Sequence, residues 1–556
     1  MSSKVYTIGL DFGSLSLRGV LVDAADGKVL ATEEFAYPHG VMDRTLPDGT
    51  PLDAHFFLQH PGDYLMALEY VVPEIVKHSG VDRESIVGLG VDFTCTVLPV
   101  DKNFRPLSED ARFTGRPHAW TKLWKHLGAQ SQADRLTQIC IEQNRPYLDW
   151  YGGKAQPQSI VSKAIEVFEK DREVFDAAYG FVEAADYVNS VLVGHAVFGY
   201  TPAAAKGFYD AQAGYPDGKF FAAIDPALRN LPEDKLMWRF TDKKPVSPWE
   251  KAGMISPEWA EKLGVSRECI IAGPQFDGYA PMTALGIDKP GIMMMIAGTS
   301  TSIMLLNDRE IPVEGVMACL PGIFYPDMCC YASGQASVGD GFQWFADNCV
   351  PERYVREAEK RGVSVQTYLT SLAEKIEPGT TGLIALDWYN GNKSCLGNGR
   401  LSGMFLGLNL STRPEEIYLA MLEATAFGAK TIIDGYRSNG VPVNEVRVCG
   451  GIAGKNSLLM QIYADVFGMP VKVSRCTQAA ALGASIYAAA AAGEKTGYNN
   501  IFEAVSAMAD DEYVIYEPIP GRQKVYQELF GEYMQLHDYF GRGGNRVMER
   551  MYERRR

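Results

Sequence analysis

The ten cysteines of this 556-residue chain include no Cys-X-X-Cys pair, and its eight histidines show no His-Glu-X-X-His or similar ligand spacing. Cys329 and Cys330 are adjacent, and the other cysteines are scattered. These absences argue against a disulfide framework and against a zinc site. They favour reduced thiols in the cytoplasm.

Positive charge and long apolar runs are also scarce. The formal net charge is −15 and the isoelectric point is about 5.2, so we expect no nucleic-acid partner. We interpret the basic residues 546–556 as a solvated terminal helix rather than a binding arm. Gly, Ser and Thr interrupt the apolar stretches before they reach membrane-spanning length, and the start of the chain lacks a secretory signal. We therefore expect a soluble, cytoplasmic protein without a membrane partner.

The length of the chain exceeds what one hydrophobic core supports, so two or more domains are expected. Alternating strand and helix patterns indicate an α/β fold. Residues 200–256 contain six prolines and form the best candidate for a domain junction. We therefore predict an N-terminal domain at 1–256, a C-terminal domain at 257–540 and a basic tail at 541–556.

A pattern of apolar strand, tight Gly/Ser/Thr turn and apolar strand occurs twice, at residues 5–23 and 291–306. Glycine at such a turn lets backbone N–H groups approach a ligand, and hydroxyl groups add donors. Two such hairpins could hold one polyphosphate from both sides. Two ordinary buried hairpins are the alternative, which either hairpin alone would favour because Gly/Ser turns are common.

Further polar groups lie at turns that suit the same chemistry. Asp11 and Arg18 flank only the first turn, and they suit Mg²⁺ and phosphate oxygens respectively. Gly450 and Gly451 separate a strand from a helix that we predict to begin at Asn456 or Ser457. Such a turn can lie against an adenine or a phosphate, although it is often a plain left-handed turn.

Two strands end in groups that could contact a substrate. Asp277 follows the strand at 269–273, and its carboxylate could accept a hydroxyl proton or merely cap a helix. Thr94, Cys95 and Thr96 follow the strand at 86–91, where α/β proteins tend to bind ligands, although a plain strand end is equally consistent.

These motifs together resemble the FGGY carbohydrate kinases. The first hairpin is similar to the first phosphate motif of that family, residues 297–301 to the second, and residues 449–466 to its C-terminal adenosine-binding signature. The resemblance covers nearly the whole chain. It implies two actin-like, ribonuclease-H-like domains with the active site in the cleft between them, and the use of ATP and Mg²⁺.

Within the family, the chain is most similar to the ribulokinases. This likeness implies transfer of the ATP γ-phosphoryl group to the terminal hydroxyl of a ketopentose, with L-ribulose of L-arabinose catabolism as the leading candidate. Another ketose or polyol, such as xylulose, D-ribulose or erythritol, is the alternative. An actin-like ATP-binding module without a sugar acceptor is the alternative of another class, and a homodimer is the expected assembly. The runs that carry this likeness are 37–43, 58–61, 91–94, 123–126, 385–392 and 423–428.

The resemblance also implies roles for particular residues. Asp277 would be the general base and Asp11 would hold Mg²⁺. Lys206, which could otherwise be an exposed loop lysine, would contact the sugar together with Thr94, Cys95, Thr96 and the position of Ala332. Gly339, which could otherwise simply start a helix, would contact the nucleotide. The complete set expected to bind the nucleotide is Gly13, Ser14, Ser16, Arg18, Gly298, Thr299, Gly339, Gly450, Gly451 and Asn456.

Three departures from the ribulokinase pattern lie near the expected sugar pocket. Ala332 stands where ribulokinases usually carry a sugar-contacting glutamate. Gly278 and Tyr279 follow Asp277 in place of Ala-His, and residues 158–160 are Gln-Ser-Ile in place of Ser-Glu-Trp. The departures leave the kinase assignment intact and leave the identity of the sugar open.

Overall fold

A computed structural model describes residues 4–554, which divide into two compact units. The first unit contains residues 4–288, 320–328 and 478–510. The second unit contains residues 289–319, 329–477 and 511–554. No helix within residues 4–554 combines the length and the apolar character needed to cross a membrane.

The β-strands are short to medium in length and are numbered along the chain. They are β1 (Tyr6–Phe12), β2 (Ser16–Asp23), β3 (Val29–Ala36), β4 (Leu58–Gln59), β5 (Ile86–Phe93), β6 (Val97–Val100), β7 (Thr121–Lys122), β8 (Gly180–Glu183), β9 (Lys251–Met254), β10 (Ile270–Ala272), β11 (Gln275–Phe276), β12 (Ile292–Ala297), β13 (Thr301–Asn307), β14 (Ala318–Pro321), β15 (Cys329–Gln335), β16 (Ile384–Leu386), β17 (Met404–Leu406), β18 (Glu445–Cys449), β19 (Val471–Ser474) and β20 (Tyr513–Tyr516).

The α-helices are α1 (Pro61–Ser79), α2 (Gln130–Glu142), α3 (Ile160–Lys170), α4 (Arg172–Ala177), α5 (Ala184–Val193), α6 (Tyr200–Lys206), α7 (Gly218–Ala222), α8 (Leu231–Lys235), α9 (Met237–Phe240), α10 (Pro257–Leu263), α11 (Pro281–Ala284), α12 (Gly339–Asn348), α13 (Glu352–Lys360), α14 (Val365–Ala373), α15 (Pro414–Ser438), α16 (Ser457–Phe467), α17 (Ala479–Ala491), α18 (Gly493–Thr496), α19 (Ile501–Met508), α20 (Pro520–Gly541) and α21 (Val547–Tyr552). Single 3₁₀ turns lie at Arg83–Ser85, Leu107–Glu109, Pro117–Ala119, Pro146–Tyr151 and Pro226–Leu228.

The main sheet of the first unit has the order β3-β2-β1-β5-β10-β9, and β11 also pairs with β5. Strands β1 to β3 form an antiparallel meander, whereas β5 runs parallel to β1, β10 and β11. Every residue of β5 is buried, as expected for a parallel strand covered on both faces, while burial alternates along the outer strand β3. This parallel centre places the carboxyl ends of β1, β5 and β11 side by side.

The main sheet of the second unit has the order β14-β15-β13-β12-β18-β19-β20. Its central part repeats the pattern of the first unit: an antiparallel meander of β12, β13 and β15 is followed by β18 and β19 parallel to β12. The expected α/β fold with a meander repeated in both halves is therefore confirmed.

Helix α17 packs directly on the first sheet because glycines leave room for its backbone. A Cβ atom on Gly9 of β1 would lie 1.7 Å from the carbonyl oxygen of Ala481, and one on Gly90 of β5 would lie 2.0 Å from that of Ala484. Such separations are far below van der Waals contact, so only glycine permits this approach. The contact brings residues 478–510 into the first unit, although they lie near the end of the chain.

The boundary between the units differs from the expected one at 256/257. Strand β10 pairs with β5 and β9 pairs with β10, so residues 257–288 complete the first sheet. The proline-rich residues 200–256 lie inside the first unit and contain the short helices α6 to α9. Pro202 and Pro232 lie in the first turns of α6 and α8, and the other four prolines lie in the segments that connect or follow these helices, so the prolines mark short helices and their connections rather than a junction between units.

Most local predictions agree with the structure. The spacing of apolar residues predicts a helix over 61–79, and α1 spans this range. Helix α21 lies within the basic residues 546–556, of which Arg555 and Arg556 lie outside the described residues. The sequence also predicts a helix around 120–127. This prediction is wrong, because Thr121 and Lys122 form strand β7 between β4 and β6. The pairing partners of β7 lie far away in the sequence, which local spacing does not reveal.

We predict that Gly9→Ala destabilises the first unit by about 3 kcal/mol, because the new methyl group must displace the backbone of α17. Gly531→Ala in α20 is the control, since nothing lies within 4 Å of its Cβ position and alanine favours a helix. Thermal unfolding followed by circular dichroism compares the two variants with the parent. An unchanged melting temperature for Gly9→Ala would contradict the proposed contact.

Candidate active site

The turn between β1 and β2 brings a guanidinium group beside a carboxylate. Asp11 and Arg18 are cross-strand neighbours, and Arg18 Nη1 lies 3.7 Å from Asp11 Oδ2. The Gly13 N–H donates to the Ser16 carbonyl oxygen at 2.9 Å and closes the turn. The Ser16 hydroxyl donates to Glu34 Oε1 at 2.6 Å, and Arg18 Nε lies 3.5 Å from the same oxygen. The turn thus combines acceptor and cationic groups close to its exposed tip.

Two side chains hold Ser14 at this tip. Gln59 Nε2 donates to the Ser14 carbonyl oxygen at 2.8 Å, and the Trp124 indole N–H donates to Ser14 Oγ at 3.1 Å. The Tyr64 hydroxyl donates to Gln59 Oε1 at 2.8 Å and fixes the orientation of that amide. The sequence analysis did not identify Gln59 or Trp124 as site residues, although both lie in runs that carried the family resemblance.

Three aspartates meet at the carboxyl ends of the parallel strands. Asp11 of β1 is the direct neighbour of Asp92 in β5, and Gln275 of β11 is paired with Asp92 on its other side. The Asp277 N–H donates to the Phe93 carbonyl oxygen at 3.0 Å, which continues this pairing beyond β11. The sheet therefore gathers carboxylates that lie far apart in the sequence.

Burial and mutual repulsion raise the pKa values of these carboxyl groups. Burial, with a further contribution from the negative charge of Asp11, raises the pKa of Asp277 to about 7. The Gly278 N–H donates to Asp277 Oδ1 at 2.6 Å and opposes this rise. Burial also raises the pKa of Asp11, against the opposing charge of Arg18. A carboxylate with a pKa near 7 is well suited to accept a proton at neutral pH.

Asp92 is a site residue that the sequence analysis did not identify. It is fully buried, and no donor group within residues 4–554 reaches either of its carboxyl oxygens. Burial, followed by the charges of Asp11 and Asp277, raises the pKa of Asp92 well above its usual range. Asp92 therefore places a second buried carboxyl group directly beside Asp11. Its sequence signals were its position at the end of an apolar strand and within the run 91–94 that carries the family resemblance.

The residues after β5 form the edge of a polar cluster. Thr94 Oγ1 and Thr96 Oγ1 lie 2.9 Å apart, and Cys95 between them is partly exposed. The Thr96 N–H donates to Glu183 Oε2 at 3.0 Å, and Glu183 is buried at the end of β8. The sequence analysis did not identify Glu183, since a single glutamate before a helix has no distinctive pattern.

Two lysines extend this cluster. Lys206, the last residue of α6, donates to Gln156 Oε1 at 2.8 Å. Lys163 in α3 is fully buried and donates to the Lys122 carbonyl oxygen at 3.0 Å. Burial lowers the pKa of Lys163 to about 8 and raises that of Glu183 to about 7, while the charges of both lysines oppose the rise at Glu183. Such a mixture of donors and acceptors suits a ligand with several hydroxyl groups.

In the second unit, the turn between β12 and β13 contacts the start of α12. The Gly298 N–H donates to the Ser300 carbonyl oxygen at 3.0 Å. The Val338 N–H donates to the Thr299 carbonyl oxygen at 2.8 Å, and the Gly339 N–H donates to that of Gly298 at 3.1 Å. The structure therefore brings together Gly298, Thr299 and Gly339, which the sequence analysis assigned to one ligand.

The Gly450-Gly451 turn lies next to the same hairpin. Gly450 has a φ of +99°, and a Cβ atom on it would lie 2.6 Å from the Ala297 carbonyl oxygen. The Ile452 N–H donates to that oxygen at 3.1 Å. Asn456 Oδ1 accepts from the Leu459 N–H at 3.0 Å, so Asn456 caps α16 and the predicted helix start is confirmed.

The residues that depart from the ribulokinase pattern pack against neighbours within their own units. Ala332 lies in β15 opposite Met304 and is buried. The neighbouring Ser333 hydroxyl already hydrogen-bonds to the Tyr436 hydroxyl at 2.8 Å. In the first unit, the Tyr279 ring packs edge-on against Phe324 with centroids 5.1 Å apart. Residues 158–160 form the start of α3, where the Ser159 side chain caps the helix.

The expected site residues are divided between the two units. The first unit holds Asp11, Gly13, Ser14, Ser16, Arg18, Thr94, Cys95, Thr96, Lys206 and Asp277, and the second unit holds Gly298, Thr299, Ala332, Gly339, Gly450, Gly451 and Asn456.

We predict that Gly450→Ala lowers the stability of the second unit by about 1–3 kcal/mol, because it adds a steric clash to a disfavoured φ. Gly451→Ala should leave stability unchanged, since nothing lies within 4 Å of its Cβ position. Thermal unfolding tests both variants, and calorimetric titration with ADP tests ligand contact. If Gly451→Ala is as stable as the parent but binds ADP more weakly, Gly451 contacts the nucleotide directly. Equal melting temperatures for both variants would contradict the steric argument.

Comparison with known proteins agrees with this geometry. Residues 6–286 match the N-terminal domain model of the FGGY family of carbohydrate kinases, and residues 293–492 match its C-terminal domain model. The chain is 42% identical over 555 residues to a ribulokinase of Shouchella clausii, covering 99% of this chain and 98% of that protein. It is 41% identical over 554 residues to a ribulokinase of Halalkalibacterium halodurans, covering 99% and 97% respectively.

Solved structures show the same fold at low sequence identity. A gluconate kinase from Lactobacillus acidophilus superposes with a TM-score of 0.78 at 18% identity and covers 97% of this chain and 99% of its own. A xylulose kinase from the same organism gives a TM-score of 0.77 at 19% identity, covering 96% and 98%. The likeness confirms the actin-like fold of two domains. The chain is a member of the FGGY family of carbohydrate kinases, enzymes that use ATP to phosphorylate a small-molecule sugar.

Proposed function

We propose that this kinase transfers the γ-phosphoryl group of MgATP to the terminal hydroxyl of L-ribulose, giving L-ribulose 5-phosphate and ADP. The observation that carries the proposal is the likeness to ribulokinases over nearly the whole chain. The polar cluster around Thr96, Lys206 and Glu183 supports a ligand with several hydroxyl groups. The role in L-arabinose catabolism and the homodimer stay predictions from the resemblance, and the cytoplasmic location stays a prediction from the composition.

Asp277 is the proposed general base. Its pKa of about 7 lets the carboxylate accept the sugar hydroxyl proton while the alcohol oxygen forms its bond to the γ-phosphorus. The bond from the γ-phosphorus to the bridging oxygen breaks, and ADP leaves with that electron pair. Thr94, Cys95, Thr96 and Lys206 would orient the sugar.

Asp11 is the residue proposed to hold Mg²⁺. The donor set fits, because magnesium prefers carboxylate oxygens and Asp11 has Asp92 as a second carboxyl group beside it. The ion would neutralise charge that develops on the β- and γ-phosphates. Arg18, which lies beside Asp11, would bind phosphate oxygens with its planar guanidinium.

The glycine turns are proposed to bind the nucleotide through backbone N–H groups. In the first unit, Gly13, Ser14 and Ser16 form the phosphate turn. In the second unit, the turn at Gly298 and Thr299 lies against the start of α12 and beside the glycines after β18. Backbone at such turns can approach a phosphate or an adenine closely because no Cβ intervenes.

We predict that Asp277→Asn lowers kcat at least about 100-fold, since an amide cannot accept the hydroxyl proton. Nucleotide affinity should not change. A coupled ADP-release assay with L-ribulose and a calorimetric titration with ADP measure the two effects. Asp53→Asn, at an exposed carboxylate of the first unit, is the control. A variant that keeps more than about a tenth of the parent kcat would remove Asp277 from this role.

The alternative substrate, another ketose or a polyol, is favoured by one observation: Ala332 has no hydrogen-bonding side chain where ribulokinases carry a glutamate. The missing charged acceptor corresponds to about 1.5–3 kcal/mol of binding if no other group replaces it. The Ser333 hydroxyl is already engaged by Tyr436, which limits its ability to substitute.

We predict that L-ribulose nevertheless gives the highest kcat/KM among L-ribulose, D-ribulose, L-xylulose, D-xylulose and erythritol. Ala332→Glu should lower the KM for L-ribulose, and Ala332→Gln, which supplies a neutral acceptor, should lower it less. The panel is measured by the ADP-release assay. If L-ribulose is the poorest substrate and Ala332→Glu does not improve it, the L-ribulose assignment fails while the sugar-kinase function stands.

A further inference from the structure

The turn between β1 and β2 contains two hydroxyl groups, and they are engaged in opposite ways. The Ser16 hydroxyl donates its proton to Glu34 Oε1 at 2.6 Å. Ser14 Oγ instead accepts the indole N–H of Trp124 at 3.1 Å, and no acceptor within residues 4–554 takes the Ser14 proton. An indole N–H can only donate, whereas a hydroxyl group has one proton and two lone pairs. The contact with Trp124 therefore occupies one lone pair of Ser14 Oγ and leaves its proton for a ligand.

We propose that Trp124 is a positioning residue for the nucleotide phosphates and that it acts through the Ser14 hydroxyl group. The proposal rests on the phosphate-binding role proposed above for this turn. Trp124 and a phosphate oxygen use opposite functions of the hydroxyl group, so Ser14 can bind both at once. Hydrogen bonds in such a chain strengthen one another, and a donor that is already oriented loses less entropy on binding.

The backbone of Ser14 is held from the same side of the fold as its hydroxyl group. Gln59 Nε2 donates to the Ser14 carbonyl oxygen at 2.8 Å, and the Tyr64 hydroxyl orients Gln59. Gln59 lies in β4 and Trp124 follows β7 closely, and these two strands pair with each other. One small sheet therefore supplies both contacts to Ser14, which fixes the hydroxyl group relative to its own backbone.

Helix α3 holds the backbone directly before Trp124. Lys163 Nζ donates to the carbonyl oxygens of Lys122 and Leu123 at 3.0 and 3.3 Å. Lys163 is fully buried, so these bonds form in a medium of low dielectric constant, where they are strong. The Leu123 N–H also donates to the Phe57 carbonyl oxygen at 2.9 Å. The residue before Trp124 is thus fixed through both of its backbone polar groups.

The same helix holds both sides of Trp124 through a buried carboxylate. Glu166 Oε2 lies 3.3 Å from Lys122 Nζ and 2.9 Å from His126 Nε2, and all three side chains are almost fully buried. Burial and the charge of Lys122 lower the pKa of His126 to about 4, so its neutral ring donates the Nε2 proton to Glu166. Buried charges are costly, and the proposed phosphoryl transfer uses none of these. What they provide is a fixed backbone on either side of Trp124.

The test is a calorimetric titration with the nonhydrolysable ATP analogue AMP-PNP in excess Mg²⁺. It compares the parent with Trp124→Phe, Ser14→Ala and the double variant. Phenylalanine keeps an aromatic ring and lacks the N–H donor. Ser14→Ala should weaken binding at least about 10-fold, and Trp124→Phe about 3- to 5-fold. In the Ser14→Ala background, Trp124→Phe should change the affinity by less than about 2-fold, because the group through which Trp124 acts is gone.

Trp238→Phe is the matched control, because Trp238 has the same exposure as Trp124, 38%, and lies in the same unit. It should bind AMP-PNP like the parent, and circular dichroism shows whether each variant is folded. If Trp238→Phe weakens binding as much as Trp124→Phe does, the effect is not specific to the turn and the proposal fails.

Three further results would overturn the proposal. Trp124→Phe might bind AMP-PNP with the affinity of the parent, or Ser14→Ala might do so. The effect of Trp124→Phe could also persist in full in the Ser14→Ala background, which would show that Trp124 acts by another route. The titration contains no sugar, so a wrong L-ribulose assignment would not alter its outcome, and the sugar panel tests that assignment separately.

Discussion

The close contact between α17 and the glycines of β1 and β5 is the constraint on which the first unit depends. The backbone carbonyls of Ala481 and Ala484 occupy the space that side chains at Gly9 and Gly90 would need. The contact covers the central parallel strands and lets residues 478–510 join a sheet formed by the beginning of the chain. With that face covered, β5 is buried along its whole length, including Asp92 near its carboxyl end.

The chemistry proposed for the site follows from that burial. Removal of water raises the pKa of Asp277 to about 7 and that of Asp92 well above its usual range, while it lowers the pKa of Lys163 to about 8. Carboxyl groups of raised pKa and a lysine of reduced basicity thereby occur in one unit. Isolated buried charges would be costly, and the opposite charges of Arg18 and Lys206 reduce this cost.

Helix α1 connects this chemistry to a second cluster. Gln59, which precedes this helix, holds the tip of the phosphate turn, and the next residue, His60, stacks on His39, which is hydrogen-bonded to Asp63. His39 and Asp63 are separated by 24 positions along the chain, so no local sequence pattern reveals this contact. Their proximity results from the docking of the loop after β3 onto α1.

The sequence alone determined the two glycine hairpins, the helix at 61–79 and the cap of α16 at Asn456, because alternation of apolar residues, turns and caps are local interactions. It also carried the family resemblance. Only the tertiary structure decided that residues 257–288 belong to the first unit, that Thr121 lies in a strand, and that Asp92 stands beside Asp11. These features depend on strand order and burial. Both arise from contacts between residues far apart in the chain. Such contacts determine which charged groups are buried away from water and which charged groups lie next to each other.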